Sequence, residues 1–194
     1  MEITGVLTKI ASVLNSAGIS YAVTGGVAVT IWGRARYTAD IDIIIDITPR
    51  DLEQLISALL EIKDKVYLDI DKATPIDVIK QQGGFNLIHL PSGIKVDFII
   101  RRDDEFSRAE LKRAIKKDFY GNRIYFISPE DLILIKLQWY KNSESTRHLE
   151  DAESILKITK VDLKYIEKWA KRQSTKTIFK NLLNKSAKNL KSFN

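Results

Sequence analysis

Apolar and polar positions recur along this chain with two different periods, and the places where the period switches mark its elements. Over residues 2 to 17, Ile3, Leu7, Ile10 and Leu14, with Val6 and Val13 alongside, return at three- and four-residue spacing, which predicts an amphipathic helix. Tyr21-Ala22-Val23 predicts a strand over 20 to 24, Gly25-Gly26 a turn, and Val27 to Trp32 the body of a short helix at about 26 to 34. A β-branched run then forms a strand bearing Asp40 and Asp42. Thr48 and Pro49 open a helix whose apolar positions are Leu52, Leu55, Ile56 and Leu59. After it come a short strand near 66 to 70, a helical segment near 73 to 81, and a hairpin of strands 85 to 90 and 94 to 100 around Pro91-Ser92-Gly93. A helix at about 104 to 115 precedes strands at 117 to 120 and 123 to 127, joined at Gly121-Asn122. From Ser128 onward the period is helical, and the stretch reads as three or four helices. Ser128 is a natural N-cap there, Pro129 fits the first helical position, and Asp131 completes a near capping box.

The chemistry concentrates in residues 24 to 46, TGGVAVTIWGRARYTADIDIIID. Strand residues i and i+2 share a face, so Asp40 and Asp42 project side by side while Ile41 and Ile43 face the other way. Two adjacent carboxylates repel unless a cation lies between them, and hard oxygen ligands from one or two strands suit Mg²⁺, whose shell water and phosphates complete. Gly25-Gly26 puts bare backbone N–H groups at a helix N-terminus, where a phosphate can approach closely. Taken singly, a Gly-Gly is most simply a turn and an Asp-x-Asp a solvated strand end. Together and in this order they read as a metal-dependent nucleotide-handling site.

The string Gly25, Gly26, Ala28, then Arg36, Thr38, Asp40 and Asp42, resembles the nucleotidyltransferase fold superfamily, which includes DNA polymerase beta, and within it the AbiEii-type toxin branch. The resemblance covers roughly residues 20 to 155. It implies an α+β nucleotidyltransferase fold: a mixed β-sheet flanked by helices in a catalytic domain over residues 1–127, and a C-terminal helical subdomain over 128–194. It also calls for a third carboxylate on a later strand, for which Asp97, set between Val96 and Phe98, is the candidate; an exposed acid on an edge strand is the simpler alternative. By the same resemblance, Lys136 on the Ser128 helix contacts the nucleotide and Asp151 supports the site. Read from residues alone, Lys136 is equally a lysine extending off a buried face, and Arg147 with Asp151 a surface ion pair. Many relatives have Gly-Ser where this chain has Gly25-Gly26, so a serine contact to the triphosphate is absent here. The other acids of the first half, Asp46, Asp69, Asp71 and Asp77, read as structural or capping.

The activity implied is transfer of a nucleoside monophosphate from an NTP to a hydroxyl acceptor, an RNA or tRNA end or a protein, with pyrophosphate leaving. Asp40, Asp42 and Asp97 would hold Mg²⁺ or Mn²⁺ and carry the chemistry, and Thr24, Gly25, Gly26, Arg36 and Lys136 would bind the triphosphate. An antitoxin partner belongs to the same expectation. The alternative is a non-catalytic nucleotide- or RNA-binding module that retains the fold.

Composition narrows the field further. With no cysteine, disulfides, thiolate metal sites and cysteine nucleophiles are excluded; two histidines, His89 and His148, do not suggest a zinc site. No run approaches a membrane span and the N-terminus lacks a signal-peptide pattern, so the expected location is the cytoplasm. Charge is uneven. Residues 1 to 100 hold 9 basic and 12 acidic side chains, net −3, and residues 101 to 194 hold 22 and 13, net +9. Residues 161 to 194 carry Lys164, Lys168, Lys171, Arg172, Lys176, Lys180, Lys185, Lys188 and Lys191 against Asp162 and Glu167, several at helical spacing. Such a stripe is either a solvated face or a track for an RNA backbone.

Overall fold

The computed structural model describes residues 2–62, 66–69 and 83–191, the side chains of 187–191 excepted. The helical segment expected near 73–81, with Asp71 and Asp77, lies outside the described residues. The chain forms two compact units, Met1–Val27 with Tyr37–Ile127, and Ala28–Arg36 with Ser128–Asn194.

The first unit is built on seven strands: β1 (Ser20–Thr24), β2 (Asp40–Asp46), β3 (Val66–Asp69), β4 (Gly84–His89), β5 (Ile94–Ile100), β6 (Ile115–Phe119) and β7 (Asn122–Phe126). They form one sheet in the order β3-β4-β5-β2-β1-β7-β6. β2 runs parallel to β5 and β1 parallel to β7, while the other neighbours are antiparallel, so the sheet is mixed. Alternation through Ile43 of β2 and along β5 makes one face apolar. Ile41, Ile43, Ile45, Val96 and Phe98 are all buried, and Phe85 of β4 stacks on Phe98 across the strands with ring centroids 4.6 Å apart. Burying each such side chain contributes roughly 1.5–3 kcal/mol, which holds the register that in turn places the polar residues between them on the opposite face.

Helix α1 (Ile3–Ser16) buries Val6, Leu7, Ile10 and Leu14 and lies against β1, β2, β7 and α3. Helix α3 (Pro49–Leu60) begins with a complete capping box, Thr48 accepting from the Asp51 N–H while the Asp51 carboxylate accepts from the Thr48 N–H. Helix α2 (Gly25–Trp32) starts directly from β1. The helix expected at about 104 to 115 is α4, Glu105–Lys112, and it ends early. Ile115 is instead the first residue of β6, opposite Phe126, because the ladder with β7 takes up the backbone groups that helix continuation would need.

The second unit is helical. Among the described residues it contains α5 (Pro129–Ser143), α6 (Thr146–Ile158), α7 (Leu163–Arg172) and α8 (Lys176–Lys191). Leu132, Leu137, Ala152, Ile155, Ile166, Trp169, Phe179 and Leu182 make its core. Ser128 caps α5 by accepting from the Asp131 N–H, its hydroxyl donates to Asp131 at 2.6 Å, and the Tyr165 hydroxyl donates to the other carboxylate oxygen at 2.7 Å. Among the described residues no helix is long and apolar enough to cross a membrane.

Candidate active site

Parallel pairing of β2 with β5 sets Asp42 opposite Asp97 and Asp40 opposite Lys95. With Ile41, Ile43, Val96 and Phe98 buried on one face, all four charged side chains belong to the other. Asp40 accepts a hydrogen bond of 2.7 Å from the Thr38 hydroxyl. Lys95 Nζ lies 2.9 Å from Asp97 Oδ2. That hydrogen bond raises the Lys95 pKa above its ordinary value against the effect of desolvation, and the negative fields of Asp97, Asp40 and Asp42 add to the rise. Lys95 belongs to no motif; its signal in the sequence is only the i, i+2 spacing from Asp97.

On the other side of β2, β1 sets Thr24 opposite Asp42. The chain then turns through Gly25 at φ +62° into α2. A Cβ at Gly25 would overlap the Asp42 carboxylate, so this position requires glycine on two counts: the left-handed backbone and the absence of space. Asp42 thus rests against the glycine turn at a helix N-terminus. The Thr24 hydroxyl is buried and makes no hydrogen bond among the described residues, a state that costs about 1–3 kcal/mol until a partner arrives.

The donor set suits a divalent metal in chemistry, since aligned carboxylates on one sheet face are hard oxygen ligands that a bound cation relieves of mutual repulsion. Among the described residues no group of three or more His, Asp or Glu side chains is gathered to hold a metal ion. The positive charge beside Asp97 is that of Lys95.

Arg36 and Lys136 belong to the second unit, where both converge on Asp151. Lys136 Nζ is 3.0 Å from Asp151 Oδ2, and Arg36 reaches Oδ1 through Nε at 3.0 Å and Oδ2 through a terminal nitrogen at 3.2 Å. The Lys136 and Asp151 side chains are 3% and 1% exposed. The surface pairing of Arg147 with Asp151 that helical spacing suggests is therefore not how Asp151 is used: its carboxylate is buried and taken by two cations from elsewhere in the chain. Lys136 Nζ also stands 5.6 Å from the Trp139 ring centroid, and His148 meets that ring edge-on at 5.3 Å. Burial pushes the His148 pKa below its ordinary value. The charges of Lys136, Arg147 and Arg36 push the same way, and Asp151 opposes them.

The structure thus brings Thr24, Gly25, Gly26, Asp40, Asp42 and Asp97 together in the first unit, and Arg36 and Lys136 around Asp151 in the second. Residues 11–191 match the sequence model of a family described as nucleotidyl transferase AbiEii toxin, type IV TA system. No curated protein matches the chain. An antigenic nucleotidyltransferase-like protein from Paracoccidioides brasiliensis shares the fold with a TM-score of 0.65 at 20% identity, over 95% of this chain and 88% of its own. ANT(2″)-Ia, solved in complex with adenylyl-2″-tobramycin, superposes with a TM-score of 0.56 at 16% identity, over 92% and 97% of the two chains. The lincosamide antibiotic adenylyltransferase LnuA, lincomycin-bound, gives 0.51 at 18% identity, over 79% and 96%. At these identities the likeness to solved structures concerns the fold alone.

Proposed function

The chain belongs to the AbiEii family of nucleotidyl transferase toxins, and on that premise we propose that it moves a nucleoside monophosphate from an NTP to a hydroxyl of an RNA or tRNA end or of a protein, releasing pyrophosphate. The observation that carries this reading is the alignment of Asp40, Asp42 and Asp97 on one sheet face, with Asp42 against the Gly25 turn. In the proposal these three carboxylates hold Mg²⁺ or Mn²⁺. When bound, the metal supplies charge that stabilises the entering and leaving oxygens of the displacement.

The protein's own groups do the rest. Gly25 and Gly26 let the triphosphate come close to backbone N–H groups, and the orphaned Thr24 hydroxyl donates to a phosphate oxygen. Asp97 accepts the proton of the attacking hydroxyl. Within the second unit, Asp151 orients the charged ends of Arg36 and Lys136, the cations that the family resemblance assigns to the nucleotide. Residues 1–127 act as the catalytic domain and 128–194 as a helical subdomain, whose basic helices α7 and α8 favour an RNA acceptor. The family description names a toxin–antitoxin system, so an antitoxin is the protein partner this reading includes.

The test is transfer of label from each α-labelled NTP onto total tRNA and total protein, with Mg²⁺ or Mn²⁺, comparing the wild type with an Asp40→Ala/Asp42→Ala double variant. Label in one acceptor fraction that the double variant fails to transfer is the expected result. Undiminished transfer by that variant would sink the assignment.

A further inference from the structure

We propose that the Lys95 ammonium is a tethered counter-ion for the Asp40, Asp42 and Asp97 carboxylates, which pairs with Asp97 and competes with a divalent metal for that carboxylate. The inference rests on the reading of those carboxylates as metal ligands.

Two observations carry it. Lys95 stands two residues before Asp97 on β5 and directly opposite Asp40 on β2, so the sheet register puts it on the face that bears all three acids. Its Nζ is 2.9 Å from Asp97 Oδ2. A metal ~2.1 Å from that carboxylate would stand within about 5 Å of the ammonium, and two cations so close repel each other.

The physical consequence is an exchange. Three carboxylates on one sheet face repel one another, and without compensation that repulsion would strain the pairing of β2 with β5. The ammonium offsets the charge of Asp97 and so eases that repulsion in the metal-free protein. The lysine is well suited to leave: its side chain is 45% exposed against 20% for Asp97, and a flexible four-carbon stem can swing its charge into solvent. Divalent metal thus competes with a charge that the chain itself supplies, which raises the concentration of metal needed to load the site.

Mn²⁺ binding to the full chain without nucleotide, followed by paramagnetic resonance and calorimetry, tests this with the variants Lys95→Met, Lys95→Arg and Asp42→Asn. Lys95→Met is expected to bind Mn²⁺ about tenfold tighter than the wild type, because a competing unit charge has gone, and Lys95→Arg to bind as the wild type does. Lys95→Met should also melt lower than the wild type in chelator and gain more from Mn²⁺. Unchanged or weaker Mn²⁺ affinity in Lys95→Met, with Mn²⁺ lost in Asp42→Asn, would overturn the counter-ion inference and leave the metal site standing. Weaker NTP binding in Lys95→Met with unchanged Mn²⁺ affinity would also overturn it, by making the lysine a phosphate contact. Equal Mn²⁺ binding by Asp42→Asn and wild type would remove the metal reading and this inference together. Should Lys95→Met fail to fold, Lys95→Gln carries the same comparison.

Discussion

Lys136 and Asp151 form an ion pair of 3.0 Å with side chains only 3% and 1% exposed, and Arg36 closes on the same carboxylate. A buried pair of this kind recovers its desolvation cost only while each charge keeps a partner. Asp151→Asn removes the buried counter-charge of Lys136 and is expected to cost about 3 kcal/mol of stability. Lys136→Met leaves Asp151 with Arg36 and should cost about half as much. Urea unfolding of the two variants checks the order, and a larger loss in Lys136→Met would show that Arg36 does not sustain the carboxylate alone.

Gly25 and Gly18 both have positive φ, at +62° and +67°, yet a Cβ at Gly18 meets open space and one at Gly25 meets Asp42. Gly18→Ala should therefore lose only the backbone component, about 1 kcal/mol, and keep its activity. Gly25→Ala should lose at least about 1 kcal/mol more and displace the Asp42 carboxylate, lowering transfer by about 100-fold. Equal melting temperatures and equal rates for the two variants would contradict the close approach of Gly25 and Asp42.

His148 titrates below its ordinary value of 6.5 in the folded chain, chiefly because of its burial, so the unfolded chain binds the proton more readily. The stability it contributes is fully present above pH 6.5 and is lost as pH falls from there through the folded value. Melting temperatures measured from pH 8 to pH 5 at constant ionic strength should fall more steeply for the wild type than for His148→Gln. Parallel curves would mean that His148 is not the group responsible.

Lys164, Lys168 and Lys171 on α7 and Lys180 on α8 are exposed, while Ile166, Trp169 and Phe179 face the core. Replacing the four lysines by glutamine should leave the melting temperature nearly unchanged. If these helices hold RNA, the salt dependence of binding to a labelled tRNA should flatten by about 0.7 in logarithmic slope for each phosphate that a removed lysine had neutralised. An unaltered slope would assign the charge to solvation instead.

The patterns that proved legible in the sequence are short-range ones. Alternation in DIDIIID gives β2 its two faces, the Thr48-Pro49 and Ser128-Pro129 signals open α3 and α5 where they stand, and Gly25 leads from β1 into α2. Each depends on backbone geometry and side chains within a few residues of one another. The end of α4 was less legible, because residues 113–115 leave the helix in favour of a ladder with β7 that local propensity does not contain. Lys95 was visible only as a spacing, and its meaning came from the strand set beside it.

By itself the sequence determined where α3 and α5 open, the family that the Gly25-to-Asp42 string resembles, and which acids share a face of β2, since a side-chain period of two needs nothing beyond the strand. Tertiary structure decided which charge answers which. Arg36 meets Asp151 across 115 residues of chain, and Lys95 stands opposite Asp40 only because β2 and β5 run parallel in one register. An ion's partner is set by proximity and by the exclusion of water, and neither exists until distant segments have been brought together.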